Sequence, residues 1–300
     1  MKMKNDKFAV FILSHGRADQ VVTYNTLRKH GYTGRIYLLV DDLDKQQNKY
    51  KKIYGDQVVV FPKEEAAKIT DACDNFTKRN TVLYARNWSF KIAKDLGLQH
   101  FWQLDDDYTS FRWASDNERK YVGHEPIKNM NEVLDICIDF LDESKAHCVA
   151  WAQGGDFIGG ENGAFAKKIR LNQFSRKIMN SFLFNVDRPI KFMGRMNDDV
   201  NTYLERGKRG YLFITIPRLR LEQKPTQQNS GGLTEMYLDF GTYVKSFYSV
   251  MVTPSCVKVM DMGQSDRRIH HKVTWKYACP VILDESRKKQ AKASSIKLPA

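Results

Sequence analysis

The chain has 300 residues, 42% hydrophobic and 12% aromatic, which excludes a disordered protein and allows a sizeable buried core. Its formal net charge of +13 implies attraction for anions: nucleic acid, nucleotide, anionic membrane or acidic protein. Five cysteines (73, 137, 148, 256 and 279), odd in number and without a Cys-x-x-Cys pair, argue against a disulfide frame or a zinc site and suit a reducing compartment.

Met1 to Lys7 is polar and basic, and the apolar run Phe8–Leu13 is too short for a secretion signal. No other stretch approaches a membrane span, so a cytoplasmic protein without a membrane partner is expected. The run Phe8–Leu13 is continuous, the mark of a strand covered on both faces. A helical stretch from about Asp19 to His30 follows and stops at Gly31. Arg35–Val40 predicts a second strand ending on Asp41-Asp42, and Val58–Phe61 a third, closed by Pro62. From Thr81 to Leu96 the apolar spacing is helical, and Gly97 ends it. His100–Leu104 is again a strand and runs directly into Asp105-Asp106-Asp107.

Strand and helix alternating in this way predict a parallel sheet with right-handed crossovers, whose ligands gather at the carboxyl ends of the strands. Ser14-His15-Gly16-Arg17, Asp41-Asp42 and Asp105–Asp107 all fall at such ends. The second half is less regular. A helix over 131–141 and strands at 149–151 and 211–216 are expected, then a polar, Gly-ended loop from Gln223 to Gly232. No linker divides the chain, which predicts one domain over 1–286 and a basic, disordered tail over 287–300.

Three carboxylates directly after an apolar strand repel one another unless a cation neutralises them. Hard oxygen ligands on a short turn suit Mg²⁺ or Mn²⁺, with a diphosphate completing the shell. Asn197-Asp198-Asp199-Val200-Asn201 is a second acidic cluster, in which one aspartate suits a general base and the other a helix cap. Gln153–Gly160 brackets an acid and a phenylalanine with four glycines, suiting either a ligand floor or a tight hairpin. His270-His271 offers imidazoles, only one of which faces a given point if the segment is extended. Phe76, Trp88, Trp102, Trp113 and Trp151 are candidates for base stacking as well as for the core, with Trp113 beside Arg112 the foremost.

Trp102-Gln-Leu-Asp-Asp-Asp107 resembles the Asp-x-Asp motif of GT-A fold glycosyltransferases. The resemblance implies a Rossmann-like α/β fold: a mostly parallel sheet flanked by helices. It also implies that Asp105, Asp106 and Asp107 hold metal and nucleotide, and that Ser14, His15, Gly16 and Arg17 touch the nucleotide. Asp41 or Asp42 would hold the base or ribose, and Arg86 and Asn87 would come from the preceding helix. Arg17, Arg86 or Lys245 would help the leaving diphosphate, and His270 or His271 would complete the metal shell. A narrower likeness is to the phage TET-associated glycosyltransferases, carried by Ser14–Arg17, Leu104–Tyr108, Ala152–Gly160, Asn197–Tyr203 and His270-His271. It implies transfer of a sugar from a nucleotide sugar, such as a UDP-sugar, to a hydroxymethylated pyrimidine in double-stranded DNA. A protein or small-molecule acceptor, a nucleotidyltransferase and a non-catalytic DNA-binding module are the alternatives.

Overall fold

The computed structural model describes residues 3–223, 241, 243–262 and 268–278. Most of the loop expected at 223–232 and the whole basic tail at 287–300 lie outside the described residues.

Nine strands form the central sheet: β1 (Phe8–Leu13), β2 (Arg35–Asp41), β3 (Val58–Phe61), β4 (His100–Asp105), β5 (Tyr108–Ser115), β6 (Tyr121–Pro126), β7 (Cys148–Gln153), β8 (Ser181–Asn185) and β9 (Phe213–Gln223). Their order is β3-β2-β1-β4-β8-β7-β9-β5-β6. The pairings leave all but β8 and β5 running in one direction, so the expected α/β class with a mostly parallel sheet is present. β5 runs against β4 because only a short acidic turn separates them, and a parallel return would need a crossover.

The helices are α1 (Val22–Lys29), α2 (Gln47–Tyr54), α3 (Lys63–Lys68), α4 (Leu83–Asp95), α5 (Met130–Glu143), α6 (Ala164–Arg170) and α7 (Asp198–Gly207). Beyond them come α8 (Val244–Val252), the hairpin β10 (Val257–Met262) with β11 (Arg268–Val273), and α9 (Trp275–Ala278). α1 ends where Gly31 adopts φ +87°, and a Cβ there would meet the Lys128 carbonyl oxygen at 2.5 Å. No described helix is long and apolar enough to cross a membrane.

Every residue of β1 is buried, which explains its unbroken apolar run. One sheet face packs Trp102, Phe111 and Trp151 toward α1 and α5, with the two indoles 4.7 Å apart. The other packs Phe11, Phe101 and Phe184 toward α4 and α7. Trp102 and Trp151 are thus core residues, 0% and 1% exposed, and cannot stack on a base. Each such side chain contributes about 1.5–3 kcal/mol through burial. Trp113 is half-buried and lines a separate groove with Phe140 and Phe174.

Two histidines are built into this core as neutral rings. His30 Nδ1 lies 2.5 Å from the Ile127 carbonyl oxygen and donates to it, while Nε2 accepts the Phe111 N–H at 3.4 Å. His100 Nε2 lies 2.8 Å from Asp142, and Nδ1 accepts from Asn5 at 3.2 Å. Burial is the main cause holding both below the ordinary value of 6.5, and for His100 it outweighs the attraction of Asp142. The unfolded chain therefore takes up protons first, so these groups contribute stability above pH ~6.5 and lose it as pH falls. Melting temperature is expected to drop between pH ~7 and ~5.5. A profile flat across that range would show that neither ring is held neutral.

Candidate active site

The carboxyl ends of β1, β2, β3 and β4 border a cleft of about 190 Å³. The loop after β1 is tied down in sequence. Ser14 Oγ donates to Asp106 Oδ2 at 2.6 Å and sits 2.7 Å from the Tyr50 hydroxyl, which also accepts the Arg17 N–H at 2.9 Å. Gly16 takes φ +68° and donates its N–H to Asp44 at 2.7 Å. His15 Nδ1 lies 2.6 Å from Asp41, and Lys63 Nζ reaches the same carboxylate at 3.3 Å. Burial pushes the Asp41 carboxyl up, but the His15 hydrogen bond and the Lys63 charge outweigh it and hold it below the usual range.

Asp41 therefore lines the cleft, whereas Asp42 is exposed and accepts the Lys63 N–H at 2.9 Å, starting α3. Lys63, Tyr50 and Asp44 were not among the residues expected here. Lys63 follows the third strand as Asp41 follows the second, so the strand-end rule applied to Pro62-Lys63 finds it.

Thr23, at the start of α1, holds the acidic turn from beneath. Its Oγ1 donates to the Asp105 carbonyl at 2.7 Å and accepts the Tyr108 N–H at 2.9 Å, while its N–H reaches the Asp106 carbonyl at 3.1 Å. Asp106 is buried and paired with Arg17 at 3.1 Å. Asp105 lies 3.3 Å from Arg86. Asp107 has no hydrogen-bond or ion-pair partner among the described side chains. Burial, then the charges of Asp105 and Asp106, push its carboxyl up to about 7. An unpartnered acid beside two others is what a cation would relieve, so the donor chemistry of the turn fits a hard divalent metal. No group of three or more His, Cys, Asp and Glu side chains arranged around a metal position occurs among the described residues.

Arg86 was expected at the nucleotide but does not line the cleft. It is 2% exposed, packs against Phe182 and Phe192, and bridges Asp105 to Asp198, the latter at 2.6 Å. Asn87, also expected there, is turned inward. It exchanges hydrogen bonds with the Phe192 backbone at 3.0 and 2.7 Å and donates to Thr70 at 3.1 Å. The spacing Arg86-Asn87 on α4 puts both beneath the site.

Asp198 and Asp199 are the first residues of α7, and neither side chain caps it. Asn197 occupies the cap position in the left-handed region, φ 50°, and donates to the Lys245 carbonyl at 2.7 Å and Ser249 at 3.0 Å. Burial raises Asp198 to about 6 despite Arg86, and burial raises Asp199 as well. Among the described residues Asp199 accepts only the adjacent Val200 N–H, at 2.8 Å.

His271 Nδ1 lies 3.4 Å from Asn197, and burial with the charges of His270, Lys245 and Lys177 pushes it down to about 4, leaving the ring neutral. Adjacent side chains of a strand ordinarily diverge, yet the His270 and His271 rings stack 4.4 Å apart. Lys245 thus joins this second cluster and does not line the cleft. The glycine-rich segment is not a hairpin. It forms 3-10 turns at Gly154–Phe157 and Gly160–Asn162, with Asp156 accepting the Gln153 N–H at 3.0 Å and paired with Lys177.

Asn80, Thr81 and Val82 roof the cleft. Their loop is anchored by Arg195, 1% exposed, which binds Asp74 at 2.7 and 2.9 Å, while the Tyr248 hydroxyl donates to Asp74 at 2.6 Å. Thr81 Oγ1 donates to the Arg195 carbonyl at 3.2 Å. Arg195→Ala removes the ion pair of half-buried Asp74 and leaves it the Tyr248 hydroxyl, and is expected to destabilise by about 3 kcal/mol. Chemical denaturation checks this, and an unchanged midpoint would remove the anchor.

Comparison with known proteins adds to this geometry. The family model described as TET-Associated Glycosyltransferase matches residues 8–232. No curated protein matches the chain. Among solved structures, the fragment 1–349 of S. aureus TarS is similar at 12% identity and a TM-score of 0.43, over 84% of this chain and 65% of that one. GalNAc-T7 with UDP, GalNAc and Mn²⁺ is similar at 14% identity and 0.42, over 73% and 44%. The galactosyltransferase LgtC in complex with donor and acceptor sugar analogs follows at 11% and 0.34, over 60% and 58%. The chain spans less than two thirds of the length of each.

Proposed function

The chain belongs to the TET-associated glycosyltransferase family, and from that membership we propose that it moves a sugar from a nucleotide sugar, such as a UDP-sugar, to a hydroxymethylated pyrimidine of duplex DNA. The observation that carries the reading is the pairing of two acidic clusters through one buried arginine: Asp105 and Asp198 share Arg86. Sugar transfer that inverts the anomeric centre uses two such clusters, one at the leaving diphosphate and one at the acceptor hydroxyl.

In this reading the nucleotide lies in the cleft beside His15, Asp41 and Lys63, with Arg17 facing the phosphates. Asp105 and Asp107 would hold Mn²⁺ or Mg²⁺, whereas His270 and His271, expected as further ligands, lie with Asn197 in the second cluster and do not complete a three-residue metal group among the described residues. When bound, the ion neutralises charge on the leaving diphosphate. Asp106 stays with Ser14 and Arg17 and fixes the turn. Asp199 takes the proton from the acceptor hydroxyl, while Asp198 stays paired with Arg86. Positioning and electrostatic stabilisation by these fixed groups supply most of the rate.

The acceptor is supported by the family and by the net charge of +13, which suits a polyanion. Four described cysteines are free thiols, in keeping with work in the cytoplasm. Mass spectrometry of hydroxymethylated DNA incubated with the protein, Mn²⁺ and a mixed nucleotide-sugar pool tests the proposal. A mass increase of one sugar per modified base is expected. Donor consumption with no DNA product would remove the DNA acceptor.

A further inference from the structure

We infer that the outer side of α6 and the chain following it form the surface on which the phosphate backbone of a duplex DNA acceptor rests. The inference builds on the DNA reading above and locates the contact. Between Asn162 and Val186 there are five Lys and Arg and no Asp or Glu, where the average of 35 acids in 300 residues would place about three. β7 and β8 are antiparallel neighbours, so the excursion joining them leaves and returns at the edge of the sheet that carries Asp105–Asp107. At its return, the Asn180 carbonyl accepts the Tyr108 hydroxyl, one residue beyond the acidic turn.

The excursion is anchored from within. Phe165 and Ile169 on α6 pack against Ala114, Ala152 and Phe157, which leaves Lys167, Lys168 and Arg170 outside. None of those three cations has a carboxylate within ion-pair reach among the described residues. Arg176 Nε is buried with no hydrogen-bond partner. Lys177 alone of the five is committed, to Asp156. The stretch ends against β9, where Ser175 forms an antiparallel bridge with Thr215. Leu171 projects among the cations, 55% exposed. Unpaired cations on an anchored element, with an apolar tip between them, fit a row of phosphates better than a loose, self-paired charged face does.

The test compares the triple variant Lys167→Gln, Lys168→Gln, Arg170→Gln with wild type. A control variant, Lys51→Gln, Lys52→Gln, Lys94→Gln, removes the same charge elsewhere. Binding of a short hydroxymethylated duplex is followed against salt, with UDP affinity and circular dichroism as checks on site and fold. Each phosphate contact contributes about 0.9 to the slope of log affinity on log salt, so the triple variant should be shallower by about 2–3. The control variant should keep the wild-type slope, and all three proteins should bind UDP alike. A wild-type slope in the α6 variant, or an equal loss in the control, overturns the inference while leaving the DNA reading intact. Wild-type protein that shows no salt-dependent DNA binding overturns both.

Discussion

Asp107→Ala is expected to lower kcat by roughly 10³-fold or more while the fold stays at least as stable as wild type. A metal's stabilisation of leaving-group charge is worth several kcal/mol, and each ~1.4 kcal/mol is a factor of ten. The stability half follows from the carboxylate's surroundings. Asp107 has no described side-chain partner, and its neighbours Asp105 and Asp106 raise it to about 7 after burial. A carboxyl raised in the folded state contributes stability at low pH that is lost as pH rises through that value, so at and above neutrality the side chain opposes folding. Alanine removes that repulsion. Asp106→Ala should behave in the opposite sense for the fold, since it strips Ser14 and Arg17 of a buried acceptor. Turnover and melting temperature are measured together, with and without Mn²⁺. The wild type should be stabilised by the ion through linkage and the Asp107 variant much less. Full turnover of the variant with Mn²⁺ would end the assignment of Asp107 to the metal.

The parallel half of the fold was legible because each of its strands announces itself as an apolar run, wholly buried in β1 and largely so in β2 and β4. β1, β2 and β4 fall where expected, and β2 and β4 extend by one residue, the acid each carries at its end. α2 escaped notice because Tyr50 is its one buried residue, so no apolar period shows through Gln47–Tyr54. β8 was missed for the reverse reason: five wholly buried residues, too short to separate from a helix fragment by pattern. At the site, residue types at strand ends pointed to the cleft, since strand direction alone decides that placement. Side-chain direction was not legible. Arg86 and Asn87 sit one residue apart on α4, and long-range partners at Asp198 and Phe192 turned both away from the cleft. The cap expected of one Asp198-Asp199 carboxylate failed for a similar reason. Asn197 took the left-handed cap position, where its amide is held by α8, and left both acids inside the helix.

Asp198→Asn and Asp199→Asn should therefore separate stability from catalysis. Asp198 lies 2.6 Å from a fully buried guanidinium whose other carboxylate, Asp105, is at 3.3 Å. Removing its charge leaves Arg86 underpaired in the core, and about 3 kcal/mol of stability should go with it. Asp199 has no ion pair among the described residues, and asparagine can still accept the Val200 N–H. Its variant should fold as wild type and lose roughly 10²–10⁴ in kcat, the usual worth of a general base. The pH profile gives an independent reading. A base acts only when deprotonated, so with burial raising Asp199 the rate should fall on the acid side at a pH above the ordinary carboxylate range. Loss of kcat in the Asp198 variant, with Asp199→Asn within a few-fold of wild type, would move the base to Asp198. Near-normal kcat in both would mean that neither takes the proton, which points to transfer with retained configuration or to a base outside α7.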